Sequence, residues 1–367
     1  MRIRRLTLAS VCATAVVAAL AALDAVGSSA AIAPVRVAGP IAGPPSSIAA
    51  LGDSFNTGFD AGTSGVDATS LSWSTGDDAS MQSLYRRLLA VHPVIKGQRY
   101  LIAKDGTKVG DLARQMSLAA DHRAQLITIQ AGGNDICSAK DPDQATAPAQ
   151  FRAQFTQAIA VLRARLPDAR LLVTSITDEA RWNDGSIQVP GNGKKLSDGT
   201  VCDPQLDPSG NQNPSRRAEI QALERQDNAI LRQVCGTDPH CRFDDGAFYR
   251  LAYTAADVSA HDAFHPSVAG LNLFARTAWA VGFSYADRTA PTVSATFEQL
   301  PGAVRVSLSG RDAAGIAGIE YRLGPGPYTL AAGAVTVPAG GTLSYRAVDR
   351  NGNTSATWSL TVPPGTS

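Results

Sequence analysis

Three short, largely apolar runs, residues 48–51, 126–131 and 170–176, limit this chain's fold more than any other feature of its sequence. Runs of this length and character suit strands buried on both faces of a parallel sheet. The first ends at Gly52 and the second at Gly132-Gly133, where the chain can turn sharply. The segments between them carry helical spacing. In residues 149–166 the side chains Phe151, Phe155, Ile159, Leu162 and Leu166 recur every three or four positions, and Pro167 stops the element. Residues 215–234 repeat the pattern with Ile220, Leu223, Ile230, Leu231 and Val234, and residues 268–281 supply a last apolar helix. Alternating strand and helix predicts a layered α/β domain. Near Ala286 the character changes. Residues 291–362 alternate in the strand manner, as in Val304-Arg305-Val306-Ser307-Leu308, with Gly/Pro turns between runs and no helical period. That predicts a small all-β sandwich, with the boundary at Asp287-Arg288-Thr289-Ala290-Pro291.

The amino end reads as an export signal. Arg2, Arg4 and Arg5 precede an apolar run to about Leu23, and small residues follow around Ser28-Ser29-Ala30-Ala31. Cleavage is expected rather than retention as an anchor, because the run is Ala-rich and Asp24 ends it. Residues rich in Pro, Gly and Ala then form an extended leader. Once Cys12 has left with the signal, Cys137, Cys202, Cys235 and Cys241 remain. An even count in an oxidising compartment predicts two disulfides, with three pairings open. Cys235 and Cys241 flank a short turn and form the local pair, which leaves Cys137 with Cys202. No C-x-x-C spacing points to a metal, and neither metal nor cofactor is expected. With 33 Lys and Arg against 32 Asp and Glu, and no basic cluster beyond the first five residues, nucleic acid is excluded as a partner.

Three clusters that can carry chemistry sit at predicted element ends, where open α/β sheets collect ligands. Gly52-Asp53-Ser54 follows the first strand, and the glycine lets the Ser54 hydroxyl project from the sheet. Gly132-Gly133-Asn134-Asp135 follows the second, and an amide side chain there can donate to a developing oxyanion. Asp262-Ala263-Phe264-His265-Pro266-Ser267 precedes the last helix, with acid and base three residues apart. Each cluster alone is an ordinary turn or cap. Together they supply nucleophile, donor and base.

On these residues the chain resembles the SGNH, or GDSL, hydrolase family. The resemblance implies a flavodoxin-like three-layer α/β/α sandwich with a parallel sheet, and serine ester hydrolysis. Ala50-Leu51-Gly52-Asp53-Ser54 matches the first family block, making Ser54 the nucleophile and its N–H an oxyanion donor. Asp105-Gly106-Thr107-Lys108-Val109-Gly110-Asp111-Leu112 aligns with the second, giving Gly106 the next oxyanion N–H. Asp105, Thr107 and Val109 depart from the family's usual Ser, Ala and Thr, and Gly110 is a rival. Gly132-x-Asn134-Asp135 matches the third block, with Asn134 as side-chain donor, and Asp262-x-x-His265 matches the last, with Asp262 and His265 completing the triad. Ser72-Trp73-Ser74-Thr75-Gly76, Asn134-Asp135-Ile136-Cys137 and the Cys235/Cys241 pair align it with actinobacterial secreted and phospholipase B-like branches. Residues 287–367 resemble the Ig-like modules of bacterial secreted enzymes, on Ile319-Glu320-Tyr321-Arg322-Leu323 and the run from Tyr345 to Asn353. Asp349 to Asn353 reads as a polar hairpin turn rather than a calcium loop.

The division expected is thus a signal over 1–31, a leader over 32–46, an SGNH hydrolase domain over 47–286 and an Ig-like domain over 287–367. The expected protein is a secreted monomer that cleaves carboxylic esters, of lipids in the first reading. A carbohydrate O-acetyl esterase would share every catalytic residue. A surface-binding protein with a vestigial hydrolase domain is the reading from another class. The C-terminal module is the expected contact for a surface or polysaccharide. Trp73 and Trp182 are expected to pack rather than line a pocket, and His261 is expected to point away from Ser54.

Overall fold

The computed structural model describes residues 33–182, 202–207, 209 and 213–364, with the side chains of Arg181, Trp182 and Asp203 left aside. The expected signal and the Trp182 side chain therefore lie outside the described residues. Five parallel strands form the central sheet: β2 (Ile48–Gly52), β3 (Arg99–Leu101), β4 (Leu126–Gln130), β5 (Arg170–Val173) and β6 (Cys241–Phe243). Their order across the sheet is β3-β2-β4-β5-β6, which is the flavodoxin-like order 2-1-3-4-5 when counted from β2. All four pairings are parallel, and β2 runs beside β4 from Ile48↔Leu126 to Gly52↔Gln130. β2, β4 and β5 are buried along their whole length, as their apolar sequences require. β3 and β6 have only three residues each at the edges and left no apolar run to read.

Two layers of helices cover the sheet. On one face α3 (Leu112–Asp121), α5 (Pro148–Arg165) and α7 (Pro214–Cys235) pack over Leu51, Ile127, Ile129, Leu171 and Val173. On the other, α2 (Leu84–Val91) and α8 (Val268–Val281) pack over Ile48, Leu126 and Leu172. Neighbouring residues of one strand thus serve opposite cores, as the period of two demands. Two disulfides close the expected pairs, Cys235–Cys241 between the end of α7 and β6, and Cys137–Cys202.

The carboxy-terminal region is all-β. A three-stranded sheet of β7 (Thr292–Leu300), β8 (Ala303–Arg311) and β11 (Val335–Pro338) is joined by one of β9 (Ile316–Leu323), β10 (Thr329–Leu330), β12 (Thr342–Asp349) and β13 (Thr357–Thr361). The leader contributes to it. β1 (Val35–Ala38) pairs antiparallel with β13, in the register Val35↔Ser359, so the extended leader is the edge strand of the sandwich. The hairpin at Asp349 is closed by its own hydrogen bonds: Asp349 Oδ1 accepts from the N–H groups of Asn351 (2.7 Å) and Asn353 (2.9 Å).

This hairpin is also the joint between sandwich and sheet. Buried Arg170, the first residue of β5, donates to the carbonyls of Gly43 (2.9 Å) and Gly352 (3.2 Å) and to Asn353 Oδ1 (2.8 Å). Nearby, Arg346 donates to Glu320 (2.7 Å) and pairs with Asp168, while buried His240 lies 3.3 Å from Glu320. Arg170 begins β5, and Asp168 and His240 stand just before β5 and β6, so the sandwich braces the amino ends of the strands. Among the described residues no helix is long and apolar enough to cross a membrane.

One buried group in the α7 layer lacks compensation. Asp227 is 1% exposed, and neither carboxylate oxygen has a hydrogen-bond partner among the described residues. Burial, and then the Asp135 charge, push its carboxyl from 3.8 up to about 7. The folded state therefore holds a proton that the unfolded chain releases near pH 4, and stability drains away as pH rises from about 4 towards 7. Asp227→Asn removes that loss without changing volume. By calorimetry its melting temperature should lie nearest the parent's at pH 4 and exceed it by a margin that grows to pH 8; a difference independent of pH would contradict the account.

Candidate active site

The strand order reverses between β2 and β4, where the chain leaves β2 for β3 on one side and then crosses to β4 on the other. At such a switch point the loops beyond the two strands diverge and open a crevice. Gly52 ends β2 with φ +116°, and a Cβ there would sit 1.7 Å from the Gln130 carbonyl oxygen. Only glycine lets the two strand ends approach this closely. The Asp53 N–H donates to that same carbonyl (3.2 Å), and the Asp53 side chain caps α1 (Ser54–Thr57) by accepting from the Phe55 N–H (3.1 Å). Ser54 thereby becomes the first residue of a short helix, with its own N–H left without an intrahelical partner.

Beyond β4 the Gly132-Gly133 turn, with Gly132 at φ +120°, leads into α4 (Gly133–Cys137) and carries Asn134. The Asn134 amide donates to the Thr107 carbonyl (3.2 Å). A carboxamide has two N–H groups, so a second donor remains. Asp135 accepts from the Val109 N–H (2.8 Å), tying this turn to the loop after β3. In that loop the Thr107 N–H donates to the Lys104 carbonyl (3.2 Å), and Gly106, φ +69°, is the turn residue facing the crevice. Gly110 starts no part of the crevice wall. It lies in a 3-10 turn, Val109–Asp111, against Gln154.

The last cluster closes the site. Asp262 Oδ1 accepts from the N–H groups of Phe264 (2.9 Å) and His265 (3.0 Å), which curls the turn, and Ala263 takes up φ +60° within it. Asp262 Oδ2 bonds His265 Nδ1, and His265 Nε2 stands 2.8 Å from Ser54 Oγ across 211 residues of sequence. Phe55, Phe59 and Phe264 pack around the imidazole with ring centres 4.9 to 5.5 Å away. Ser267 then caps α8, accepting from Ala269 and Gly270 N–H groups. The structure thus brings Ser54, Asp262, His265, Gly106 and Asn134 to one pocket of about 410 Å³. His261 turns away to the Gly62 carbonyl (3.2 Å), and Trp73 is fully buried on Gln130.

Sequence reasoning missed part of the wall. Asp60, Glu179 and the Cys137–Cys202 disulfide also line the pocket. The strand-end rule that flagged β2 and β4 applies equally to β5, and Glu179 lies six residues beyond it, at the start of α6 (Glu179–Trp182). Five carboxyl-bearing side chains, Asp53, Asp60, Asp105, Glu179 and Asp262, face the space, and among the described residues no Lys or Arg does. Burial pushes Asp53 up to about 7 and Glu179 up to about 8. Burial, and then the neighbouring Asp262, raise Asp60; burial and Asp67 raise Asp105. Asp262 goes the other way. Burial opposes its charge, but hydrogen bonding and attraction to His265 and two backbone N–H groups hold it below the usual carboxylate range.

Such an arrangement can take a proton from a hydroxyl, share the resulting positive charge with a carboxylate and present N–H groups to a nascent oxyanion. One comparison, with family models, agrees with that chemistry. A family model described as the GDSL-like lipase/acylhydrolase family matches residues 50–273. No curated protein matches the chain. Among solved structures it is similar to an acetyl xylan esterase, at 14% identity over 64% of this chain and 98% of that one, with a TM-score of 0.40. A catalytic mutant of an acetylxylan esterase from Geobacillus stearothermophilus gives 16% identity over 69% and 99%, with a TM-score of 0.38. A family 3 carbohydrate esterase from Clostridium thermocellum gives 14% over 64% and 93%, with a TM-score of 0.37.

The Gly52 contact yields a direct test. Gly52→Ala places a methyl group into the Gln130 carbonyl at a left-handed backbone position, and should cost about 3 kcal/mol or more of stability. Urea unfolding of the variant measures it; an unchanged midpoint would mean that the strand ends are not held as closely as described.

Proposed function

The chain belongs to the GDSL-like lipase/acylhydrolase family and is an ester hydrolase; we propose that it is a secreted serine enzyme cleaving carboxylic esters of lipids that carry no negative charge. The observation that carries this reading is the unbroken chain of contacts from Ser54 Oγ through His265 to Asp262. His265 Nε2 takes the hydroxyl proton as Ser54 Oγ bonds to the ester carbonyl carbon. Asp262 orients the ring and stabilises the imidazolium. The N–H groups of Ser54 and Gly106 and the free N–H of Asn134 receive the negative oxygen. As the tetrahedral species collapses, the carbon–oxygen bond to the alcohol breaks and His265 gives its proton to the departing oxygen. Water, deprotonated by the same imidazole, then releases the acid from Ser54.

Lipid esters are favoured by the phenylalanine wall, which offers an acyl chain apolar surface beside the nucleophile. A phosphate headgroup would meet five carboxyl-bearing side chains and, among the described residues, no Lys or Arg, which narrows the lipid reading to esters without negative charge. The same carboxyl wall favours a second reading, a carbohydrate O-acetyl esterase, because carboxyl oxygens accept hydrogen bonds from sugar hydroxyls. Export is supported by the charged, apolar and small-residue order of the first 31 positions and by the two disulfides.

A panel of p-nitrophenyl esters of increasing acyl length tests the proposal. Ser54→Ala should lose at least about a thousandfold in kcat with its fold intact, and Asn134→Ala roughly a hundredfold. Normal turnover in Asn134→Ala would remove that residue from the oxyanion site, and turnover in Ser54→Ala would remove the mechanism. Rising rates with chain length fit a lipid esterase; hydrolysis of acetate alone fits the O-acetyl reading.

A further inference from the structure

Among the described residues, Glu179 is the member of the carboxyl wall whose side chain has no proton donor. It is 4% exposed and lines the pocket, with Oε1 lying so near the Cα of Gly133 that a Cβ there would be 2.1 Å away. It therefore stands beside Asn134, next to the oxyanion position. The nearest polar neighbour of Oε2 is Cys137 Sγ, at 2.7 Å, and that sulfur is bonded to Cys202 and has no hydrogen to give. The other titratable groups around Glu179 are Asp53, Asp178, Glu224 and Tyr253, all acids, while Arg217 donates to the Ala180 carbonyl at 3.1 Å.

A buried carboxyl with no donor, in a wall of further carboxyls, is short of positive charge. The pocket adds the half-buried ring of Phe59 and no Lys or Arg among the described residues. Carboxylates with an aromatic face are the groups that hold an alkylammonium ion: the ring attracts it through its quadrupole and the carboxylate through its charge. We propose that the pocket recognises esters carrying a positively charged alkylammonium group near the ester bond, with Glu179 as the residue that contacts it. This deepens the ester-hydrolase reading and rests on it. The proton that burial holds on Glu179, up to about pH 8, leaves as the cation enters, and the ion supplies the missing partner. No bond changes beyond those of ester hydrolysis are involved.

Choline and 3,3-dimethylbutan-1-ol have the same shape and differ in one charge. Each is tested as a competitive inhibitor of p-nitrophenyl acetate hydrolysis by the full chain at pH 8.5. Choline should bind at least about tenfold more tightly than the neutral alcohol, the order expected of one desolvated ion contact. In Glu179→Gln the choline constant should weaken by about tenfold while the alcohol's moves less than about twofold. Equal inhibition by the two probes in the parent, or an equal shift for both in the variant, overturns the proposal. If the variant does not fold, the parent's comparison decides alone. An enzyme that hydrolyses the acetate in a Ser54-dependent way but ignores the charge refutes only the cation site. Hydrolysis that survives Ser54→Ala refutes the reading beneath it.

Discussion

The contact between Gly52 and the Gln130 carbonyl is the constraint on which the rest of the site depends. β2 and β4 are neighbours that send their chains in opposite directions, and the crevice exists because their ends are held together while their loops part. A side chain at Gly52 would drive the strand ends apart. With glycine, Asp53 bonds to the same carbonyl and caps the helix that Ser54 begins, so one backbone contact sets the direction of the hydroxyl. Asn134 and Gly106 reach the same point because Asp135 ties the β4 turn to the loop after β3.

Electrostatics near that point follow from burial. Most carboxyl groups around the pocket are pushed upward because burial removes water and other carboxyls stand near. Asp262 alone is held down, because His265 and two N–H groups stabilise its charge. Side chains of the same type thus divide into one anion and several reluctant acids. The division comes from their neighbours and cannot be seen in residue identity.

The β-sandwich sits at the opposite end of the sheet. Arg170, Asp168 and His240, all at or before the amino ends of β5 and β6, join it through Asn353, Gly352, Arg346 and Glu320. Buried charges of this kind hold a geometry more than they add stability, since each must first lose its water. The leader strand completes the sandwich from the far end of the sequence, so the hydrolase sheet is enclosed between two segments of one β unit.

By itself the sequence determined the layers, because long apolar repeats report burial directly: α5, α7 and α8 fall within a residue of their apolar stripes, and β2, β4 and β5 on their runs. It also marked Ser54, Asn134, Asp262 and His265, since each lies in a compact motif whose other residues, Gly52, Asp53, Gly132 and Ser267, have local backbone work to do. The short edge strands β3 and β6 were invisible, three residues being too few to show a period. The leader's pairing with β13 was equally hidden, because partners over three hundred residues apart share no local pattern. Only the tertiary structure decided which carboxyls meet. Glu179 and Asp60 lie outside every motif read along the chain, and Asp105 stood in one only as a departure from the usual serine; their common wall, with the proton affinities it imposes, exists only once folding has removed the water between them.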